Sequence, residues 1–341
     1  MSRRAWHVDA AKVVASNLIV LHHLTAYGPV ADGWDLAATA FTDWIFDYGR
    51  MAVQVFLVIG GYLAAAALAP DSAWPRQPPW KGWVKRYLRL VLPLAAALLL
   101  TMLSSAIARH WLSGDFVPAA PGLLQFAAHI ALIQGPLAME PLSVGLWYVA
   151  MDFQLYCLMG LVLWVGGHYA QWLVIAMTLA SLLYFNLYES GAQWAPYFFG
   201  AYGLGALAWW GQRSARPGRW MAFLLCAGLT ALAWDFRIRI AIALATALCL
   251  LAVPWYQRMG PAPLASENWL HRTSATLVRS SYALFLVHFS VLLLGNVAYS
   301  QLPQGATTSM WVVVPTLWLA CLAAAFMFER FVERPLARIR L

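Results

Sequence analysis

The stretch Asp9 to Tyr27, DAAKVVASNLIVLHHLTAY, places four ionisable side chains in a run apolar enough to enter a bilayer: Asp9, Lys12, His22 and His23. Ionisable groups are expensive in hydrocarbon, so inside a span they point to function by default. Eleven steps of about 100° separate Lys12 from His23, which returns the helix to within about 20° of its starting face, ~16 Å further along the axis. Asp9, Ser16 and Tyr27 fall near the same stripe. Histidine titrates near neutrality, so His23 could serve as a general base or carry a group transiently. The plainer alternative is a basic anchor at the helix mouth with a histidine satisfied by a neighbouring helix. His22 points about 100° away and reads as packing or support.

Four later stretches carry further candidates. QVFLVIGGYL contains Gly60, Gly61 and Tyr62; the glycine pair suits either close helix packing or the approach of a ligand to backbone. KGWVKRYLRLVLP puts Arg86 and Arg89 at i, i+3 on one helical face. They are either membrane-side anchors or a pair of guanidiniums for a phosphate-bearing ligand. LWYVAMDFQLY offers Trp147, Asp152, Gln154 and Tyr156, expected just inside the outer boundary of its span. SSYALFLVHFSVLLL buries His288 about 14 Å from Arg279, near the midplane. FERFVERP ends the last span with Glu329 and Glu333, placed to pair with arginines.

These residues sit on an unusual background. The 341 residues are 62% hydrophobic and 11% charged, where a soluble domain averages about 25% charged. The apolar runs have helical rather than strand length. The expected fold is all-α: one integral-membrane helix bundle over residues 1–341, with about ten transmembrane helices near 9–27, 46–69, 87–108, 144–166, 171–188, 193–211, 219–235, 238–256, 279–300 and 309–330. Cys157, Cys226, Cys249 and Cys321 all lie in apolar runs, so neither a disulfide framework nor a metal site is expected. MSRRAW leads straight into the first helix, with no cleavable signal expected. The net charge of +8 comes from arginines at helix ends and does not suggest nucleic acid.

Loop charge sets the expected topology. Arg3 and Arg4 put the N-terminus inside, and Arg76, Lys81, Lys85, Arg86 and Arg89 then follow the second span inside. If Leu123–Leu137 crossed, Arg213, Arg216, Arg219, Arg258, Arg272, Arg279 and the tail with Arg330, Arg334, Arg338 and Arg340 would fall outside. Ten spans with both termini cytoplasmic avoid this, and residues 110–143 become an extracytoplasmic excursion with a re-entrant or interfacial segment. Arg237 and Arg239 are the main outside exceptions.

Taken in order, these motifs resemble acyltransferase family 3, the polytopic bacterial membrane O-acyltransferases that include O-antigen and peptidoglycan O-acetyltransferases. The family's first helix reads D-x-x-R/K with a histidine, often doubled, ten residues after the basic one, similar to Asp9, Lys12 and His22-His23. Its F-F-x-x-S-G-Y/F block resembles the run to Tyr62, with Gly60 where serine is expected. R-x-x-R before an aliphatic-Pro resembles Arg86 to Arg89 with Pro93. W-S-L-x-V-E-E-Q-F-Y resembles Trp147 to Tyr156, with Asp152 for the first acid and Phe153 for the second. S-Y-x-L-Y-L-x-H resembles Ser281 to His288, and E-x-P resembles Glu333 to Pro335. The fused esterase-like domain of some relatives is not expected here.

The resemblance implies transfer of an acyl group, usually acetyl, from acetyl-CoA as co-substrate to a hydroxyl of a glycan, lipid-linked sugar or small acceptor, in a bacterial inner membrane and without a bound cofactor or metal. It implies His23 as base or acyl carrier, Lys12, Arg86 and Arg89 as donor-orienting groups, and Asp152 and His288 as further site residues. Asp9, His22, Gly60, Gly61, Tyr62, Trp147, Gln154 and Glu333 support them. A proton-coupled exporter would also suit midplane histidines, but no inverted repeat or matched pair of broken helices is visible. A scaffold would leave the buried ionisable residues without a reason.

Overall fold

The computed structural model describes residues 6–70, 77–259, 268–302 and 309–338. Arg3, Arg4, Arg76 and Arg340, used above for topology, lie outside these residues, as do the side chains of Arg258 and Arg272. The described chain is helical, with no strand. The helices are α1 (Trp6–Ala26), α2 (Pro29–Gly49), α3 (Ala52–Leu68), α4 (Trp80–Trp111), α5 (Leu123–Ile130), α6 (Leu146–Gly166), α7 (Ala170–Leu183), α8 (Ala195–Arg213), α9 (Pro217–Trp234), α10 (Ile238–Met259), α11 (Asn268–Ser300), α12 (Met310–Phe328) and α13 (Arg334–Ala337), with a π-helical turn Glu329–Glu333 before the last.

Every expected span contains a helix. Five helical stretches among the described residues are long and apolar enough to cross a membrane: Pro29–Leu68, Trp80–Trp111, Leu146–Leu187, Thr276–Ser300 and Met310–Ala337, with Ile238–Val253 a shorter apolar helix. This is a multi-pass membrane protein. The helix not anticipated is α2, which carries Asp32, Asp35, Asp43 and Asp47 and bends at Ala38 (φ −156°, ψ 46°). Its inner face, Val30, Trp34, Thr42 and Ile45, is buried, and packing of that face outweighs the acids of the other. The Leu123–Leu137 run forms only the eight-residue α5, about 12 Å long against roughly 30 Å of hydrocarbon. It turns sharply afterwards, with Leu132 and Ala138 in the left-handed backbone region.

The chain forms two compact units. The first comprises Met1–Ala11, Val53–Tyr87 and Ala150–Glu267. Its centre is a backbone-to-backbone contact of α3 with α8: a Cβ on Gly61 would overlap the Tyr202 carbonyl, and one on Gly205 would overlap that of Val58. Antiparallel α4 and α6 meet through Trp80 edge-on to Trp164, with centroids 5.3 Å apart, and Tyr87 beside Phe153 at 5.6 Å. Arg237 and Arg239 converge on Asn186 Oδ1, donating to it at 2.8 and 3.2 Å, and also donate to the carbonyls of Leu182 and Asn186. The two arginines thus serve carbonyls at the ends of neighbouring helices, which need donors.

The second unit comprises Lys12–Ala52, Leu88–Val149 and Asn268–Leu341. Here α1 is gripped by the last two long helices. Trp318 Nε1 donates to Asn17 Oδ1 at 2.8 Å. Asn296, buried on α11, accepts from Val30 N–H at 2.9 Å and donates to the carbonyls of Tyr27 (3.1 Å) and Leu292 (3.0 Å). A bond between Thr101 and Ser290 hydroxyls, 3.0 Å, joins α4 to α11. Buried His129 closes the excursion: its Nδ1 lies 2.8 Å from the Gln125 carbonyl and its Nε2 accepts from Leu142 N–H at 3.1 Å.

Candidate active site

The second unit brings three of the candidate histidines together. His23 and His288 stack, ring centroids 5.1 Å apart and planes 18° apart. His22 lies 5.0 Å from His23 but turns towards α2, 5.6 Å from Phe46, and Gly49 makes room for it, a Cβ there coming within 3.0 Å of its own. Tyr27 flanks His23 at 5.5 Å and meets Phe289 edge-on. All three histidines are buried, His288 completely. The two rings come from elements clamped twice over, by Asn17–Trp318 below and by Asn296 above.

Hydrogen bonding fixes the state of His288. Its Nδ1 lies 3.0 Å from the carbonyls of Leu284 and of Phe285. A carbonyl only accepts, so Nδ1 carries the hydrogen and Nε2 holds the lone pair in the neutral ring. That Nε2 is buried and has no hydrogen-bond partner among the described residues, and the same holds for His23 Nδ1. Unpartnered buried nitrogens cost free energy, and here two of them sit on adjacent stacked rings. Phe285 closes the site from below, packed 6.3 Å from His288 and 5.5 Å from Tyr148, with Gly145 (φ 89°) leaving space for its ring.

The first unit builds a second polar centre. Arg86 Nη2 donates to Asp152 Oδ2 at 2.6 Å, and its guanidinium lies 4.4 Å over the Tyr156 ring. Tyr202 is fully buried. Gly60 provides the clearance: a Cβ there would lie 3.1 Å from the Tyr202 ring and 3.3 Å from Asp152 Oδ1. Arg86 Nε and Tyr202 Oη are buried with no hydrogen-bond partner among the described residues.

This pairing corrects the expected geometry. Arg86 and Asp152 were expected at opposite membrane faces, yet they form one ion pair. The register of α4 against α6, set by Trp80–Trp164 and by Trp83 against Gly160, lets the long Arg86 side chain reach Asp152. Arg86 and Arg89 therefore do not form a matched pair: Arg86 is held by Asp152 and Tyr156 while Arg89 is exposed. Gly60 and Gly61 serve packing. Tyr62 bonds Gln212 Oε1 at 2.9 Å and meets Trp209 edge-on. Lys12, Asp9 and Gln154 are half-buried and Trp147 is exposed. Glu333 is half-buried, one carboxylate oxygen having no partner among the described residues, in electrostatic range of Glu329 and Arg89. No cluster of metal-ligating side chains occurs among the described residues.

The family model described as an acyltransferase domain matches residues 6–330, nearly the whole chain. The chain belongs to acyltransferase family 3. No curated protein and no solved structure matches it. This membrane acyltransferase thus carries, within the matched region, a stacked histidine pair and an arginine–aspartate–tyrosine centre. Sequence reading missed Asn296 and Tyr202. A lone asparagine inside FSVLLLGNVAYS was a usable signal, because an amide in a span needs partners. Tyr202 gave none, sitting in an aromatic run of similar residues.

Proposed function

We propose that the enzyme transfers an acetyl group from acetyl-CoA to a hydroxyl of a glycan or lipid-linked sugar, in a bacterial cytoplasmic membrane that it crosses ten times with both termini inside. The observation that carries the reading is the stacked pair of His23 and His288 with unpartnered ring nitrogens. The hydroxyl oxygen attacks the thioester carbonyl carbon, and the C–S bond breaks. His23 takes the hydroxyl proton, which leaves with the CoA thiolate as the thiol. The His288 ring, stacked on His23, steadies its orientation, and its Nε2 lone pair has no partner among the described residues. An acyl-His23 intermediate reaches the same products in two displacements. Exposed Arg89 and half-buried Lys12 suit the donor's phosphates. The loop arginines support the orientation.

The test is CoA release from radiolabelled acetyl-CoA by purified protein. His23→Ala should lower the rate by about 10²–10⁴, the range for loss of a general base, while inserting and purifying as the wild type does. Equal rates in the two proteins would remove His23 from the chemistry.

A further inference from the structure

The last long helix ends in ERFVERPLAR, with Arg330, Arg334 and Arg338 at four-residue intervals, a row about 12 Å long at 1.5 Å per residue. With Phe331 and Pro335 they line an open cavity of about 190 Å³. Arg334 is anchored: its Nε donates to Glu329 Oε1 at 2.7 Å, and Glu329 itself is buried. That bond neutralises one guanidinium through its Nε and leaves its two terminal nitrogens outside it. Among the described residues no carboxylate pairs with Arg330 or Arg338, the Glu329 pairs being with Arg279 and Arg334. The row keeps an excess of two positive charges.

The face leading to this row is apolar and, among the described residues, largely exposed. Of the five membrane-length stretches, Met310–Ala337 is the least buried, 22% of its apolar part against 44–67% in the others. Leu319, Phe326, Met327 and Phe331 are each more than 40% exposed. In a bilayer such a face lies against acyl chains, and the arginines that follow mark the depth at which headgroups begin. Guanidiniums match phosphate oxygens in geometry and charge.

We propose that Arg330, Arg334 and Arg338 form a binding site for the phosphate of an anionic phospholipid, whose acyl chains lie along Leu319, Phe326 and Met327. A zwitterionic lipid brings its own cation to the same place and gains less. The site is independent of the acyl-transfer chemistry, and its test does not use activity.

The experiment is native mass spectrometry of the full-length protein in detergent, with phosphatidylglycerol and phosphatidylcholine offered in equal amounts. The wild type should retain phosphatidylglycerol preferentially. Arg330→Gln with Arg338→Gln keeps the Arg334–Glu329 bond and should lower that preference about 25-fold, roughly fivefold for each basic group near an anionic headgroup. Arg330→Lys with Arg338→Lys should keep most of it. Equal retention of the two lipids by the wild type, or an unchanged preference in the glutamine variant, overturns the proposal. Displacement of phosphatidylglycerol by an equal concentration of soluble glycerophosphate also overturns it, because the site would then serve water-borne phosphate esters. Should the glutamine variant not fold, the wild type decides: its preference must weaken as salt rises, and a salt-independent preference sinks the idea.

Discussion

Gly28 lies directly under the side chain of Asn296: a Cβ at residue 28 would stand 2.7 Å from the Asn296 amide carbon and oxygen. Its backbone, φ 79° and ψ −175°, falls in a region essentially reserved for glycine. The amide in turn satisfies Val30 N–H and the Tyr27 carbonyl. Gly28→Ala should therefore cost about 1–3 kcal/mol from backbone strain alone, and Asn296→Leu should leave both backbone groups orphaned at about 1–3 kcal/mol each. Thermal unfolding in detergent reads both. A melting temperature unchanged in either variant would show that the turn between α1 and α2 tolerates rearrangement.

The Arg86–Asp152 pair separates a structural role from a catalytic one. Asp152→Ala strands a largely buried guanidinium and should cost about 3 kcal/mol, the low end for a buried pair because Arg86 is 32% exposed. Arg86→Met with Asp152→Leu replaces both charges by apolar groups and should recover most of that stability. Acetyl-CoA turnover then discriminates: a stable but inactive double variant assigns Arg86 to the donor, whereas retained turnover confines the pair to holding α4 against α6.

His288→Asn tests the tautomer argument. The asparagine amide can still donate to the Leu284 or Phe285 carbonyl, but it has no lone-pair nitrogen to offer beside His23. The variant should fold with near wild-type stability and lose at least about tenfold in acetyl transfer, the low side of the range for acid–base groups. Full turnover would limit His288 to packing.

The excursion should loosen in mild acid. Burial holds the His129 imidazole below its ordinary pKa of 6.5. The unfolded segment therefore binds more protons, and the stabilisation is present above pH 6.5 and lost as pH falls below it. Protonating Nε2 also replaces the acceptor of the Leu142 N–H with a second donor. Hydrogen exchange of residues 123–146, corrected for the intrinsic rate, should lose protection as pH falls from about 7.5 to about 5.5, one unit either side of the ordinary imidazole value. His129→Ala should be unprotected throughout, and equal protection at both pH values would contradict the assignment.

The helices and the histidine stripe were legible in the sequence because hydrocarbon enforces both. It demands long apolar runs and makes each ionisable residue conspicuous. His22 turning away from His23 followed from 100° per residue alone. What was not legible depended on register between distant helices. Nothing in KGWVKRYLRLVLP announces that Arg86 reaches Asp152, since that depends on three tryptophans and a glycine fixing α4 against α6. The α2 helix was hidden by its acids, which read as loop until its buried face is seen.

The partners of α1 have a consequence for how the protein is made. Asn17 waits for Trp318, and His23 for His288, which comes 265 residues later. At about 5–20 residues per second, that last interval amounts to roughly 13–53 s of synthesis. The first helix to emerge is thus the last to be seated, and for that time its asparagine and histidines need a temporary polar host, at the membrane surface or on an assisting protein.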